Sequence, residues 1–136
     1  METTSAVVKR NGFTLIELVI TLSIVAILSI VVLPSYEEYL LQGRRSDATT
    51  ALTTFAQYVE RHFLENGSYS GATTALYRDT SGNGHYSLSV TADNNSYQLQ
   101  ATPVGIQLED THCGSYTLNE LQVRGITGDG SISSCW

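Results

Sequence analysis

Residues 9–36 read KRNGFTLIELVITLSIVAILSIVVLPSY, and this stretch decides the fold. From Leu18 to Leu33 there is no charge, and the span from Phe13 to Leu33 holds 21 residues interrupted only by Glu17 and a few hydroxyls. At 1.5 Å rise per residue such a helix is roughly 30 Å long, about the hydrocarbon thickness of a bilayer. Thr14, Thr21, Ser23 and Ser29 are tolerable there, because helical hydroxyls bond back to their own carbonyls. A secretory signal peptide would have a shorter apolar run followed by a small-residue cleavage site. Here the run ends on Leu33-Pro34-Ser35-Tyr36, which has no such spelling. A core helix apolar on every side would need a larger protein around it. The spacing therefore predicts a membrane helix, with Lys9 and Arg10 on the cytoplasmic side and the C-terminal part outward.

Glu17 is the anomaly in this run. A carboxylate inside a spanning helix costs roughly 2.5–3.5 kcal/mol on insertion scales and by default marks a function with a partner. The competing reading places it near the interface, where the acid reaches water.

The remainder bounds the class. The 136 residues are enough for one domain, and 13 acids against 7 bases give a formal charge of −6. Without residues 1–12 the balance is 12 acids to 5 bases. A surface that acidic is poor for nucleic acid, which needs clustered Lys and Arg. Of the bases, only Arg78 and Arg124 lie beyond residue 66. The two cysteines, Cys113 and Cys135, read as one disulfide in a chain that leaves the cytosol, or as two unrelated buried thiols.

Past Pro34 the pattern becomes amphipathic. Ala48, Leu52, Phe55, Val59 and Phe63 recur at helical spacing, with Ala51, Tyr58 and His62 beside them. Glu37, Glu38, Arg44, Asp47, Glu60 and Glu65 are expected mostly on other faces. Asn66-Gly67 is the expected stop. One helix over about 13–66 would measure about 80 Å, with a bend at Pro34. Residues 67–84 are rich in Gly, Ser, Thr and Asn and read as loop. Tyr86, Leu88 and Val90 alternate, as do Tyr97, Leu99 and Ala101, around an Asp93-Asn94-Asn95 turn, which predicts an antiparallel hairpin. Ser115–Leu118 reads as a third strand, and Leu121-Gln122-Val123 either extends it or forms a fourth. Tyr86, Tyr97 and Tyr116 are expected in the core. His62, His85 and His112 are scattered, Asp129-Gly130-Ser131 lacks the spacing of a calcium loop, and no Ser-His-Asp arrangement or phosphate loop stands out. No enzymatic activity, metal or cofactor is expected.

Gly12-Phe13-Thr14-Leu15-Ile16-Glu17-Leu18 resembles the class III signal of type IV pilins and pseudopilins. The resemblance implies an α+β pilin fold, with a long helix (about 13–66) packed on a small antiparallel sheet and a C-terminal loop bounded by a disulfide. It implies a leader over 1–12, a transmembrane or fibre-core half-helix over 13–36, and a globular head over 37–136. Prepilin peptidase would cut between Gly12 and Phe13 and methylate Phe13. Glycine suits that cut by allowing close backbone approach. Glu17 falls at the family's glutamate position, where it would meet the new amine of a neighbouring subunit's Phe13, and Pro34 falls at its helix-kink proline. Cys113-Gly114…Leu118…Gly125…Gly128…Cys135-Trp136 is similar to the disulfide region of PilE-type minor pilins of type IVa pili. The expected partners are other pilins in the fibre, the prepilin peptidase and an inner-membrane assembly platform. The expected role is a minor pilin held in the inner membrane, then built into a priming or tip complex that supports motility and adhesion. A DNA-binding competence pilin, a type II secretion pseudopilin and a major pilin are the alternatives. The cysteine pair weighs against the pseudopilin, and the short head and PilE-like ending lean away from the major pilin.

Overall fold

The computed structural model describes residues 12–136. Residues 1–11, most of the expected leader together with Lys9 and Arg10, lie outside the described residues, as do the side chains of Leu33, Pro34 and Ser35. Helix α1 runs from Leu15 to Asn66, 52 residues, and starts two residues later than the apolar pattern suggested. Its helical backbone continues through position 34. Chain contacts divide the molecule into two units between Glu37 and Glu38.

The first unit is a bare helix. Every described residue from Gly12 to Val32 is exposed except half-buried Ser29. The stretch is long and apolar enough to cross a membrane. The hydroxyls of Thr21, Ser23 and Ser29 bond to the carbonyls of Glu17, Val19 and Val25 at 2.7–2.9 Å, so none asks for an outside partner.

The second unit is the head. Its sheet has four antiparallel strands in the order β1 (Tyr86–Ala92), β2 (Tyr97–Pro103), β3 (Tyr116–Asn119) and β4 (Arg124–Ile126). Register pairs Leu88 with Ala101, Leu99 with Leu118, and Tyr116 with Ile126. Alternation puts Tyr86, Leu88, Tyr97, Leu99, Ala101, Tyr116 and Leu118 on one face, and all are buried with Ala48, Leu52, Phe55 and Val59 of α1 in a single core. The three tyrosines pack as the alternation predicted, with Tyr86 and Tyr116 meeting edge to face at 5.8 Å. Helix α1 stops where Gly67 takes φ +70°, its N–H bonding to the Phe63 carbonyl at 2.7 Å.

Three expectations need correction. Leu121-Gln122-Val123 is a turn, and the fourth strand follows it at Arg124. The Asn119 side chain accepts from the N–H groups of Leu121 and Val123 at 3.1 and 2.9 Å, and Gln122 sits at φ +59°. That local bonding outcompetes the strand reading. Tyr58, placed with the apolar face, is 44% exposed, although its ring meets Tyr77 at 5.4 Å. Asp47, placed on an outward face, is buried: it accepts from the Ser81 hydroxyl, the Asn83 N–H and the His85 N–H, and so ties the 80–85 loop to α1.

Candidate assembly site

Gly12 and Phe13 form a non-helical lead into α1, and the Phe13 side chain is 83% exposed. Thr14 then caps the helix. Its hydroxyl accepts from the Glu17 N–H at 3.3 Å, while Glu17 Oε2 accepts from the Thr14 N–H and the Thr14 hydroxyl, both at 2.8 Å. This is a capping box, Thr-x-x-Glu, in which two otherwise orphaned helix donors are satisfied reciprocally. The acid also sits in the first turn, where the helix dipole favours negative charge. The sequence reading looks for the partner of Glu17 in a neighbouring subunit or in water at the interface. The signal that it has a partner within its own turn was present in Thr14-Leu15-Ile16-Glu17. The segment thus presents an accessible peptide link at Gly12-Phe13, an exposed aromatic ring and a carboxylate held in place by the backbone. Further along lies an apolar helix surface that is exposed among the described residues.

The head is fixed by two devices. Cys113 and Cys135 form a disulfide with Cα atoms 5.7 Å apart, which resolves the choice the sequence left open. Its loop is tight. Gly128 lies against the His112 carbonyl so closely that a Cβ there would collide with it. The second device is a buried ion pair that sequence reasoning missed. Arg45 donates to both oxygens of Asp110, Nε to Oδ2 at 2.8 Å and Nη2 to Oδ1 at 2.9 Å. Gln107 Nε2 adds bonds to Asp110 Oδ2 at 3.2 Å, the Tyr86 hydroxyl at 3.0 Å and the Leu41 carbonyl at 3.3 Å. The Cys113 N–H reaches Asp110 Oδ1 at 3.2 Å, linking the pair to the disulfide. Burial alone would raise the Asp110 carboxyl, but the bonds from Arg45 and from the Cys113 N–H hold it below the usual carboxylate range. Burial pushes the Tyr86 hydroxyl up to about 12. No spacing rule connects positions 45 and 110, so the pair is invisible in one sequence.

Other chemistry is weak. A ring nitrogen of His112 and the sulfurs of Cys113 and Cys135 lie within 4.8 Å of one another, but the disulfide consumes both sulfurs and removes the thiolates a metal would need. His62, half-buried, meets the Ser70 carbonyl at 3.2 Å and is accounted for structurally. The two arginines beyond α1 each lie on an aromatic ring, Arg78 on Tyr77 at 4.8 Å and Arg124 on Trp136 at 5.2 Å.

Comparison with known proteins agrees with this geometry. Residues 8–33 match the family described as prokaryotic N-terminal methylation motif, and residues 34–117 match the family described as type IV minor pilin ComP, DNA uptake sequence receptor. The chain is 32% identical over 102 residues to a fimbrial protein of Neisseria meningitidis serogroup B, covering 74% of this chain and 60% of that protein. It is 45% identical over 62 residues to prepilin peptidase-dependent protein D of Escherichia coli, covering 43% of this chain and 40% of that protein. The chain thus spans from two fifths to three fifths of the length of these two curated relatives. Among solved structures, a type IV pilin from Shewanella oneidensis is 34% identical, covering 71% of this chain and 97% of that one, with a TM-score of 0.53. The N. meningitidis non-core minor pilin PilV, 21% identical with a TM-score of 0.56 and covering 71% and 94% of the two chains, shares the fold.

Proposed function

This chain belongs to the type IV pilin family, among its ComP-type minor pilins, and on that premise we propose how its N-terminal segment takes it from membrane to fibre. The family is a structural one, whose members assemble with other pilins, and the apolar N-terminal helix is that of a membrane-anchored pilus subunit. In the proposed route the helix crosses the inner membrane once with the head in the periplasm. Prepilin peptidase cuts between Gly12 and Phe13 and methylates Phe13. The assembly platform then moves the subunit into a priming or tip complex that supports motility and adhesion. Pro34, which lacks a backbone donor, is the residue at which α1 would bend in this route.

Glu17 is the docking residue in this route. The cut creates an α-amino group at Phe13, and in an apolar fibre core that charge and the Glu17 carboxylate of a neighbour attract strongly. Removing Glu17 strands the amine. The observation that carries the proposal is the match of residues 8–33 to the methylation motif, with the Gly12-Phe13 link accessible just ahead of a capped helix. Two measurements test it. Mass spectrometry of the chain from sheared fibres is expected to find N-methylphenylalanine at position 13 as its first residue. A Glu17→Ala variant is expected to remain in the membrane and drop out of fibres; its incorporation at the wild-type level would sink the docking role.

A second reading, a DNA-binding pilin, is favoured by the description of the family matched by residues 34–117. Against it stand the formal charge of −6 and the scarcity of bases beyond α1. A band-shift titration of the purified chain at several salt concentrations decides. Salt-sensitive binding supports this reading, and its absence removes it.

A further inference from the structure

The turn between β2 and β3, Gly105–Glu109, carries an apolar surface that the head does not use. Val104, Ile106 and Leu108 are 38%, 64% and 62% exposed, while Gln107 between them is fully buried. The turn is not loose: Gln107 bonds to the Leu41 carbonyl, the Tyr86 hydroxyl and Asp110, and Asp110 is held in turn by Arg45. A rigid turn holding three aliphatic side chains in water is preorganised for contact.

Its place says with what. The anchors Leu41 and Arg45, with Glu38 bonded to Arg45 at 3.4 Å, are among the first residues of the head unit, at the end where α1 enters it. The charges tied to this turn are Glu109 within it, Asp110 just after it, and Arg45, which bonds to both Asp110 and Glu38. That balance is poor for an anionic lipid surface, which attracts clusters of Lys and Arg. An uncharged apolar partner suits it better. The chain itself displays one: the apolar side chains of α1 from Leu18 to Ile30 carry no charge between them and are exposed.

We propose that Val104, Ile106 and Leu108 form a docking surface for the apolar N-terminal helix of a neighbouring pilin, a segment with the chemistry of residues 18–30 of this chain. This rests on the assembly role above. The head of one subunit would then shield part of the helix that its neighbour cannot bury alone.

The test uses the full chain in cells that make fibres. A double variant, Ile106→Asp with Leu108→Asp, changes only exposed side chains and is expected to keep the disulfide and resist protease as wild type does. Its ratio of fibre to membrane pool is expected to fall about tenfold or more, the scale set by losing the burial of even one aliphatic side chain. Leu121→Asp, equally exposed but on the β3–β4 turn, is expected to incorporate normally. A photo-crosslinking residue at position 106 gives a measurement that does not depend on the variant's folding. In sheared fibres it should form an adduct within the N-terminal helix of a pilin. Adducts only to lipid, only to pilin heads, or none at all overturn the proposal, as does normal incorporation of the double variant or an equal loss with Leu121→Asp. If the wild-type chain itself is missing from fibres, the assembly role fails rather than this contact alone.

Discussion

Helix α1 is one element with two kinds of residue environment. From Leu15 to Ile30 its residues are exposed, apart from half-buried Ser29. From Ala48 to Val59 one face is buried against the sheet, with Ala48, Leu52, Phe55 and Val59 at zero exposure. The sequence composition follows the difference. The first stretch is apolar on all sides, as a helix must be when lipid or sister helices surround it. The second is apolar on one side only. Stability in the first half must therefore come from outside the chain, whereas in the second it comes from long-range ties within it.

The largest expected effect strikes those ties. Asp110→Ala leaves the buried Arg45 with only the exposed Glu38 and should cost about 3–5 kcal/mol, measured as a denaturant midpoint of the full chain in detergent. The far-ultraviolet helical signal of residues 15–32 should survive that transition. The same carboxylate gives a pH test. Its folded-state value is below the unfolded one, so its contribution is present above about pH 4 and fades as pH falls further. The acid limb of the stability curve should flatten in Asp110→Asn.

Next comes the disulfide. Cys113→Ser with Cys135→Ser opens a loop of sequence separation 22. By the chain-entropy account this removes about 3 kcal/mol from the head alone. A melt that shifts while membrane insertion stays unchanged keeps the two halves distinct; loss of insertion would break the comparison.

The smallest effect belongs to the bare half. Thr14→Ala deletes the hydroxyl that accepts from the Glu17 N–H. Amide exchange at Glu17, the N–H that loses its acceptor, is expected to quicken about fivefold, in line with the usual worth of a cap. The head melt should not move.

Much of this was legible in the sequence because it is local. Periodicity gave the long helix, Asn66-Gly67 gave its end, and alternation gave the hairpin and the buried tyrosines. The capping box was equally local, spelled Thr14-x-x-Glu17, but the apolar neighbours drew the reading toward a penalty instead of a bond. What stayed out of reach is non-local or made by side chains. Arg45 meets Asp110 across 65 positions of chain. Asn119 builds a turn out of residues that alternate like a strand. Gln107 anchors a turn with no periodic signal at all. Of the site, the exposed segment and the cysteine pair could be read directly, while the ion pair that locks the head could not.

The Thr14–Glu17 box has one more consequence. On the proposed docking, Glu17 does not pass from isolation to partnership when a subunit joins a fibre; it trades donors in its own turn for an amine on another chain. Trades between bonds of similar kind leave a small balance and run in both directions. A carboxylate with a home position can let go of its neighbour without being left bare. Such a joint would be reversible by construction, able to release its subunit back to the bilayer intact.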